Sequence, residues 1–461
     1  MYSFPIRGFN PCESLLRHTP EQLRTFIRRM KKLQFNTIII HYDYGWKRYQ
    51  KLLLEECEAA GVNIILMTFG PRTFLSYSDW KTEWLAKQES GQPFTPRLEC
   101  ETWPCAFEEE CLEQYAFGVR QWLKELPPEI KHIHMRAADG FMSCQCPHCR
   151  VLSTEEKWQP FVQIFVRTVQ ENRPDLKFET DVYVKRYRIP EDHASFRAMN
   201  SIMYDTFFRN GYVPLGSKDD YLTEELLQYA ASEKVTDVSN VNCYHAARIR
   251  EWTTAFPGKL YLHENTMGQS RHGIPEGSIS TALKDHEFCR AAGVQGICYE
   301  AYEPGYSRFA DYFELMSKSM RGEEVVYEPD EWELLLRKSP DLVFGDLNGL
   351  ELERYVADPL LCRQIRLYQA CENTPSAAAI RAYGEFGFLH EDILDSLMIG
   401  FSVIKMGYRA GLSFENISER TQDMLSRRKL WDFMEEIPLT EDPRKVCRKL
   451  ILEALEGVRD R

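Results

Sequence analysis

The feature that most constrains this chain is a repeated alternation: short runs of apolar, often β-branched residues, each followed by a stretch with helical periodicity. The runs fall at 4–9, 36–40, 63–69, 130–136, 177–184, 201–207, 259–264 and 296–299, with 235–245 as a further candidate strand. Between the first two, Thr19 can cap a helix, Pro20 suits its first position and Gln22 completes a capping box. Leu23, Phe26, Ile27, Met30 and Leu33 then recur on one helical face. A second helix over 49–60 stops at Gly61, and further helices are expected over 111–126, 223–232 and 279–292. Residues 70–110 read as a long irregular loop. Alternating strands and helices imply a parallel sheet, and eight such units closed on themselves make a (β/α)8 TIM barrel. The competing architecture is an open doubly wound sheet. It calls for a glycine-rich phosphate loop after the first strand, and Arg7-Gly-Phe-Asn-Pro-Cys12 is not one.

After residue 322 the texture changes. Helical patterns run through 331–338, 358–371, 376–387, 389–408, 415–433 and 443–458 without a clear strand. The α/β barrel is therefore assigned to 1–322 and an α-helical C-terminal domain to 323–461. Lys plus Arg number 57 against 69 Asp plus Glu, and a net charge of −12 repels phosphate backbones, so no nucleic-acid partner is expected. The first residues lack the charged start and apolar run of a signal peptide, and no stretch approaches a membrane-spanning length. A cytoplasmic chain with no membrane partner is the expectation, in which 14 cysteines serve as thiols or metal ligands before disulfides. A homo-oligomer is an open expectation.

In barrels the chemistry lies beyond the C-terminal ends of the strands. Here the second strand runs into His41-Tyr-Asp-Tyr-Gly-Trp46 and the fourth into Arg136-Ala-Ala-Asp139. The fifth reaches Asp181 and Tyr183, and the sixth ends at Asp205. The seventh ends in His263-Glu264-Asn265 and the eighth in Tyr299-Glu300-Ala-Tyr302-Glu303. Carboxylates thus gather on one rim. Glycoside hydrolysis needs two of them, one to protonate the leaving oxygen and one to attack or to activate water. The competing explanation is that these acids cap the helices that follow the strands. Asp139, Glu264 and Glu300 are the catalytic candidates. Glu264 and Glu300 end neighbouring strands, so their carboxyls are expected to converge on one bond and to split their pKa values by mutual repulsion. An Asp139–Glu264 pair is the alternative. His41, Tyr42, Asp43, Trp46, Arg136, Asp205, His263 and Tyr302 are the candidate substrate-binding residues. Tyr and Trp can stack on a sugar ring, although an aromatic cluster closing the core explains them equally well.

Cys144-Gln-Cys146-Pro-His-Cys149, just past the fourth strand, resembles one arm of a zinc site. Cys105, Cys111, His148 and His132 are candidates for a fourth ligand. A structural zinc, free or redox-active thiols, and a disulfide all remain open, and no catalytic cofactor is required.

These residues also carry a family likeness. Trp103-Pro-Cys-Ala-Phe107, followed by His132-Ile-His-Met-Arg-Ala-Ala-Asp139-Gly and the cysteine motif, resembles the DUF4838 glycosidase group. That group includes glycoside hydrolase family 163 and is related to α-glucuronidases and β-hexosaminidases. Residues 252–262 with Glu264, and Ala292-Gly-Val-Gln-Gly-Ile-Cys-Tyr-Glu300, are similar to its last two strands. The resemblance covers roughly 100–320. It implies a barrel that hydrolyses glycosidic bonds in oligosaccharides containing N-acetylhexosamine or uronate, with Asp139, Glu264 and Glu300 as active-site acids. The chain differs from the group in its missing export signal, its missing N-terminal α/β domain and its His-Glu-Asn strand ending. An imported oligosaccharide is therefore the expected substrate. Two other functions fit the same barrel: a non-catalytic carbohydrate-binding protein, and a metal-dependent hydrolase using His132 and His134, which share a strand face.

Overall fold

The computed structural model describes residues 2–11, 20–75, 81–94, 103–137, 144–183, 186–191, 193–206, 213–217, 241–265, 278–300, 310–329 and 411–427, with short or single positions among and after them. Eight parallel strands close into a barrel: β1 (Ile6–Asn10), β2 (Thr37–His41), β3 (Asn63–Phe69), β4 (His132–Arg136), β5 (Lys177–Val182), β6 (Ile202–Asp205), β7 (Leu260–Glu264) and β8 (Gly296–Glu300). The order around the barrel is β1-β8-β7-β6-β5-β4-β3-β2, so β1 and β8 close it. The chain is thus a (β/α)8 barrel, as expected. A two-residue hairpin pairs Ser270–Arg271 with Ile274–Pro275.

The strands are buried on both faces, which explains their continuous apolar runs. Alternate residues face inward. Ile39, Ile65, Met67, Met203, Tyr261 and Cys298 form one cluster inside the barrel. The other face packs against helices in a larger cluster that includes Leu262, Ile297 and Tyr299.

Helix α1 (Pro20–Lys32) ends in Arg29, Lys31 and Lys32, where cations suit the helix dipole. Helix α2 (Lys47–Ala60) ends at Gly61, whose φ of 71° is left-handed and whose N–H reaches the Cys57 and Glu58 carbonyls. Helices α3 (Gly70–Phe74) and α4 (Glu109–Glu125) follow, and then α5 (Thr154–Asn172). Helix α5 starts from a Ser153–Glu156 capping box. Helices α6 (His193–Ala198), α7 (Val241–Ala255), α8 (Ile279–Ala291) and α9 (Ala310–Met320) follow among the described residues.

Two expectations need correction. Residues 241–245 begin helix α7 and are not strand, because the barrel is already closed without them. The stretch 70–110 is not a plain loop. Its described part holds α3 and a short 3-10 turn (Thr82–Trp84), tied by bridges between Leu85 and Pro104 and between Lys87 and Pro93. Trp84, Ala86, Trp103, Cys105 and Ala106 are buried in it and join the large cluster around the barrel, so it is a folded excursion packed on the main core. The expected helix 223–232 lies outside the described residues. So do most of the helices expected after 322, apart from a helix α10 (Phe414–Arg427). Among the described residues no helix is long and apolar enough to cross a membrane.

Candidate active site

A polar network crosses the barrel lumen at the C-terminal strand ends. Arg136, at the end of β4, places Nη2 3.2 Å from Asp205 Oδ2 on β6 and Nε 3.7 Å from Asp181 Oδ2 on β5. Its guanidinium lies 4.0 Å from the centre of the Tyr183 ring. Asp181 also receives Arg186 Nη2 at 3.4 Å. Asp205 Oδ2 meets His263 Nδ1 at 2.9 Å, and Asn265 Nδ2 donates to Oδ1 at 3.4 Å. On its other side, His263 Nε2 stands 2.9 Å from Asn10 Nδ2 on β1. An amide donor at Nε2 requires that nitrogen to be unprotonated, so Nδ1 carries the proton and donates to Asp205. Five strands therefore position one connected set, and each member is buried.

His41, at the end of β2, is buried against the Phe69 ring at 5.1 Å. Burial first, and then Arg136, His263 and His134, hold its pKa well below 6.5, so it is a neutral imidazole.

Strand parity separates the two glutamates that the sequence suggested would converge. Glu300 follows Cys298 on the inward face of β8 and pairs in register with Asn10. Glu264 follows Leu262 on the outward face of β7 and lies in register with outward-facing Tyr299. Its Oε2 is 3.2 Å from Arg209 Nη1, and Arg209 Nη2 is 2.5 Å from Asp285 Oδ2 on α8. Leu215 N–H donates to Asp285 Oδ1 at 2.7 Å. The cavity here, about 10 Å³, is at most the size of one water. Burial chiefly, with Glu264 adding to it, pushes Asp285 up to about 6 against the pull of Arg209. Burial alone would lower the Arg209 pKa, but Asp285 and Glu264 hold it above its ordinary value. Repulsion between acids is thus found between Glu264 and Asp285.

The remaining sequence candidates divide. Trp46 is 2 % exposed within the core between barrel and helices. A five-residue π-turn (Tyr42–Trp46) directs it there. Tyr42 is half-buried, edge-on to Trp122 at 5.8 Å. Asp43 is exposed and accepts a hydrogen bond from Thr73 Oγ1 at 2.9 Å. Asp139 and Tyr302 lie outside the described residues.

Deeper in the lumen, His132 Nε2 and His134 Nδ1 both face Glu179, at 3.0 and 2.8 Å. Tyr261 Oη donates to Glu179 at 2.6 Å, and Ser201 Oγ donates as well. Burial works to raise the Glu179 pKa, but the two histidines outweigh it and leave it below the usual carboxylate range. Both imidazoles thus face one carboxylate from the same inward face of β4. A cavity of about 860 Å³ opens at this opposite, N-terminal mouth, among strand starts and helix ends that include Thr37, Asn63, Lys177 and Lys259.

The cysteine motif is drawn together with Cys105. The four sulfurs of Cys105, Cys144, Cys146 and Cys149 lie within 4.8 Å of one another, and all four residues are buried. Asn10, Arg209 and Asp285 were missed from sequence. Asn10 had a signal, since it ends the first strand as the other site residues end theirs. Arg209 and Asp285 meet across 76 positions and had none.

No protein-family model and no curated protein matches the chain. Its backbone is similar to those of solved glycoside hydrolases. The β-galactosidase of the psychrophilic Marinomonas ef1 is 10% identical, with 64% of this chain and 54% of that chain covered and a TM-score of 0.42. A catalytic mutant of the GH42 β-galactosidase of G. stearothermophilus is 13% identical over 79% and 64%, at 0.47. An O-GlcNAc hydrolase mutant of Thermobaculum terrenum is 9% identical over 99% and 95%, at 0.39. The chain spans 54% and 64% of the two β-galactosidases. At such identities no residue role or substrate is carried over from them.

Proposed function

We propose that the chain is a glycoside hydrolase that cleaves an oligosaccharide containing N-acetylhexosamine or uronate units at the C-terminal mouth of its barrel. The observation that carries this reading is the Asn10–His263–Asp205–Arg136–Asp181 network, with Glu300 on the same inward face. Buried, mutually oriented donors and acceptors at a barrel mouth suit the recognition of sugar hydroxyls and acetamide or carboxylate groups, which need fixed hydrogen-bond partners. His41, neutral at working pH, can both donate and accept. The resemblance of the Asp-Gly and cysteine motifs to DUF4838 glycosidases favours the same substrate class.

The paired carboxylates are assigned to Glu300, the last residue of β8, and Asp139, three positions after the end of β4 in the sequence. One delivers its proton to the leaving glycosidic oxygen. The other takes the opposite face of the sugar, as nucleophile or as base toward water, while positive charge builds on the ring carbon. Glu264 is placed outside the chemistry as a partner of Arg209. A second reading, a carbohydrate-binding barrel without turnover, is favoured by one observation: Asp181 and Asp205 are both tied to Arg136 in the inner network. Chromogenic glycosides of hexosamines and uronates test the two. Turnover that Glu300→Gln abolishes supports the hydrolase. Sugar binding without turnover, unaltered in that variant, supports the second.

A further inference from the structure

We infer that Cys105, Cys144, Cys146 and Cys149 form a four-thiolate site for a divalent zinc ion, with Cys105 as the fourth ligand. The site clamps the loop after β4 to the 82–106 excursion. Cys105 Sγ lies 3.6 Å from Cys149 Sγ and 3.9 Å from Cys146 Sγ. A tetrahedral ion with Zn–S bonds of about 2.3 Å requires its sulfurs about 3.8 Å apart. A disulfide requires about 2.05 Å. The separations therefore match the edges of a metal tetrahedron and are far too long for a bond.

The other candidates for the fourth position are engaged elsewhere. His132 faces Glu179, His148 is exposed and stacks on Phe107 at 6.5 Å, and the Cys111 sulfur is outside the cluster. Backbone N–H groups of Lys87 and Cys146 point at Cys144 Sγ, at 3.2 and 3.4 Å. Donors aimed at a sulfur suit a thiolate, whose negative charge they offset around a metal. Four protein ligands, all buried, leave no open position, so the ion acts structurally and not as a Lewis acid on substrate.

The segments it joins are also knitted by backbone: Cys105 N–H donates to Trp84 O at 2.6 Å, and Gln145 N–H to Lys87 O at 2.7 Å. Cys144 comes five positions after Asp139, so the ion anchors the far end of the short segment that carries this acid. Binding releases the thiol protons to solvent and leaves a site of net charge −2. The inference rests on the four sulfurs alone and stands whether or not a glycoside is cleaved.

The test is metal analysis of the full chain, purified from zinc-supplemented cells under reducing conditions, together with cobalt(II) exchange. One zinc per chain is expected, with the intense visible bands of tetrathiolate cobalt after exchange. Chelation of the wild type should lower Tm by roughly 5–10 °C, and zinc should restore it. Cys105→Ser should lose the tetrathiolate spectrum, whereas Cys243→Ser, outside the cluster, should keep it. If Cys105→Ser does not fold, thiol labelling of the wild type serves instead: four sulfurs become reactive on chelation, and Cys105 is among them by peptide mapping. Metal-free protein with four free thiols overturns the inference, as does a mass two hydrogens lower that maps to a disulfide within the cluster. Zinc with an unaltered spectrum in Cys105→Ser overturns the fourth-ligand assignment.

Discussion

The molecule contains two buried clusters in which an arginine lies between two carboxylates. Arg136 joins Asp181 and Asp205 inside the barrel mouth, and Arg209 joins Glu264 and Asp285 between β7 and α8. Their surroundings differ. The inner cluster continues through His263 to Asn10, beside Tyr183, at the end of the barrel where loops converge. The outer one abuts the packed apolar layer around a void of about 10 Å³. The same pairing thus lines the barrel lumen in one place and ties β7 to α8 in the other. Which face of the strand bears the residue decides between them.

The sharpest way to break that contrast is to remove one acid from each side. Glu300→Gln should lower kcat by about 10²–10⁴-fold with Tm little changed. Glu264→Gln should leave kcat within a few-fold and lower stability. The reverse pattern would exchange the roles of the two faces.

A second test concerns the arginine of the outer cluster. Arg209→Met leaves two buried carboxylates uncompensated and should cost about 3–5 kcal/mol in denaturant unfolding. A loss under about 1 kcal/mol would show that the outer cluster does not hold α8 in place.

Asp285 gives the third. Its rise from an ordinary 3.8 to about 6 corresponds to about 3 kcal/mol. A raised folded pKa means that the native state holds the proton more tightly. This contribution is therefore complete below about pH 4 and is lost as the pH rises through 6. Unfolding of wild type and Asp285→Asn, measured from pH 4 to 7, should show that slope in the wild type alone. Equal slopes would sink the assignment.

The smallest effect is expected at Asn10→Ala, which takes away the donor that fixes the His263 tautomer. A drop of about tenfold in kcat/KM, with Tm nearly constant, would sharpen the recognition role of the inner cluster. A drop in Tm with kcat/KM intact would make that network structural too.

The barrel itself was legible in the sequence, because each of its eight strands is an apolar run bounded by turn or helix signals. The face each residue takes was not. Leu260-Tyr-Leu-His-Glu264 is buried on both sides, so it shows no alternation from which to read parity, and a shift of one residue exchanges inside and outside. Trp46 was ambiguous for a related reason: an aromatic after a strand can face the mouth or the core, and here it lies in the core between barrel and helices. The cysteine arm was visible from its spacing, but choosing Cys105 over three rivals required the fold of the excursion. Arg209 and Asp285 are joined by a contact that local sequence patterns do not encode.

The Glu179 carboxylate has a consequence for how the barrel closes. It takes hydrogen bonds from β4, from Ser201 just before β6, and from β7, while lying on β5 itself. Sliding any of these strands by a two-residue step would keep every side chain on its own face and conserve the ladder pattern, yet it would strand a charge in the lumen. Apolar packing among Ile39, Ile65 and Met67 imposes no such penalty for sliding on the opposite wall. The stagger of this barrel is therefore keyed from one side, as a lock is by a single notched pin.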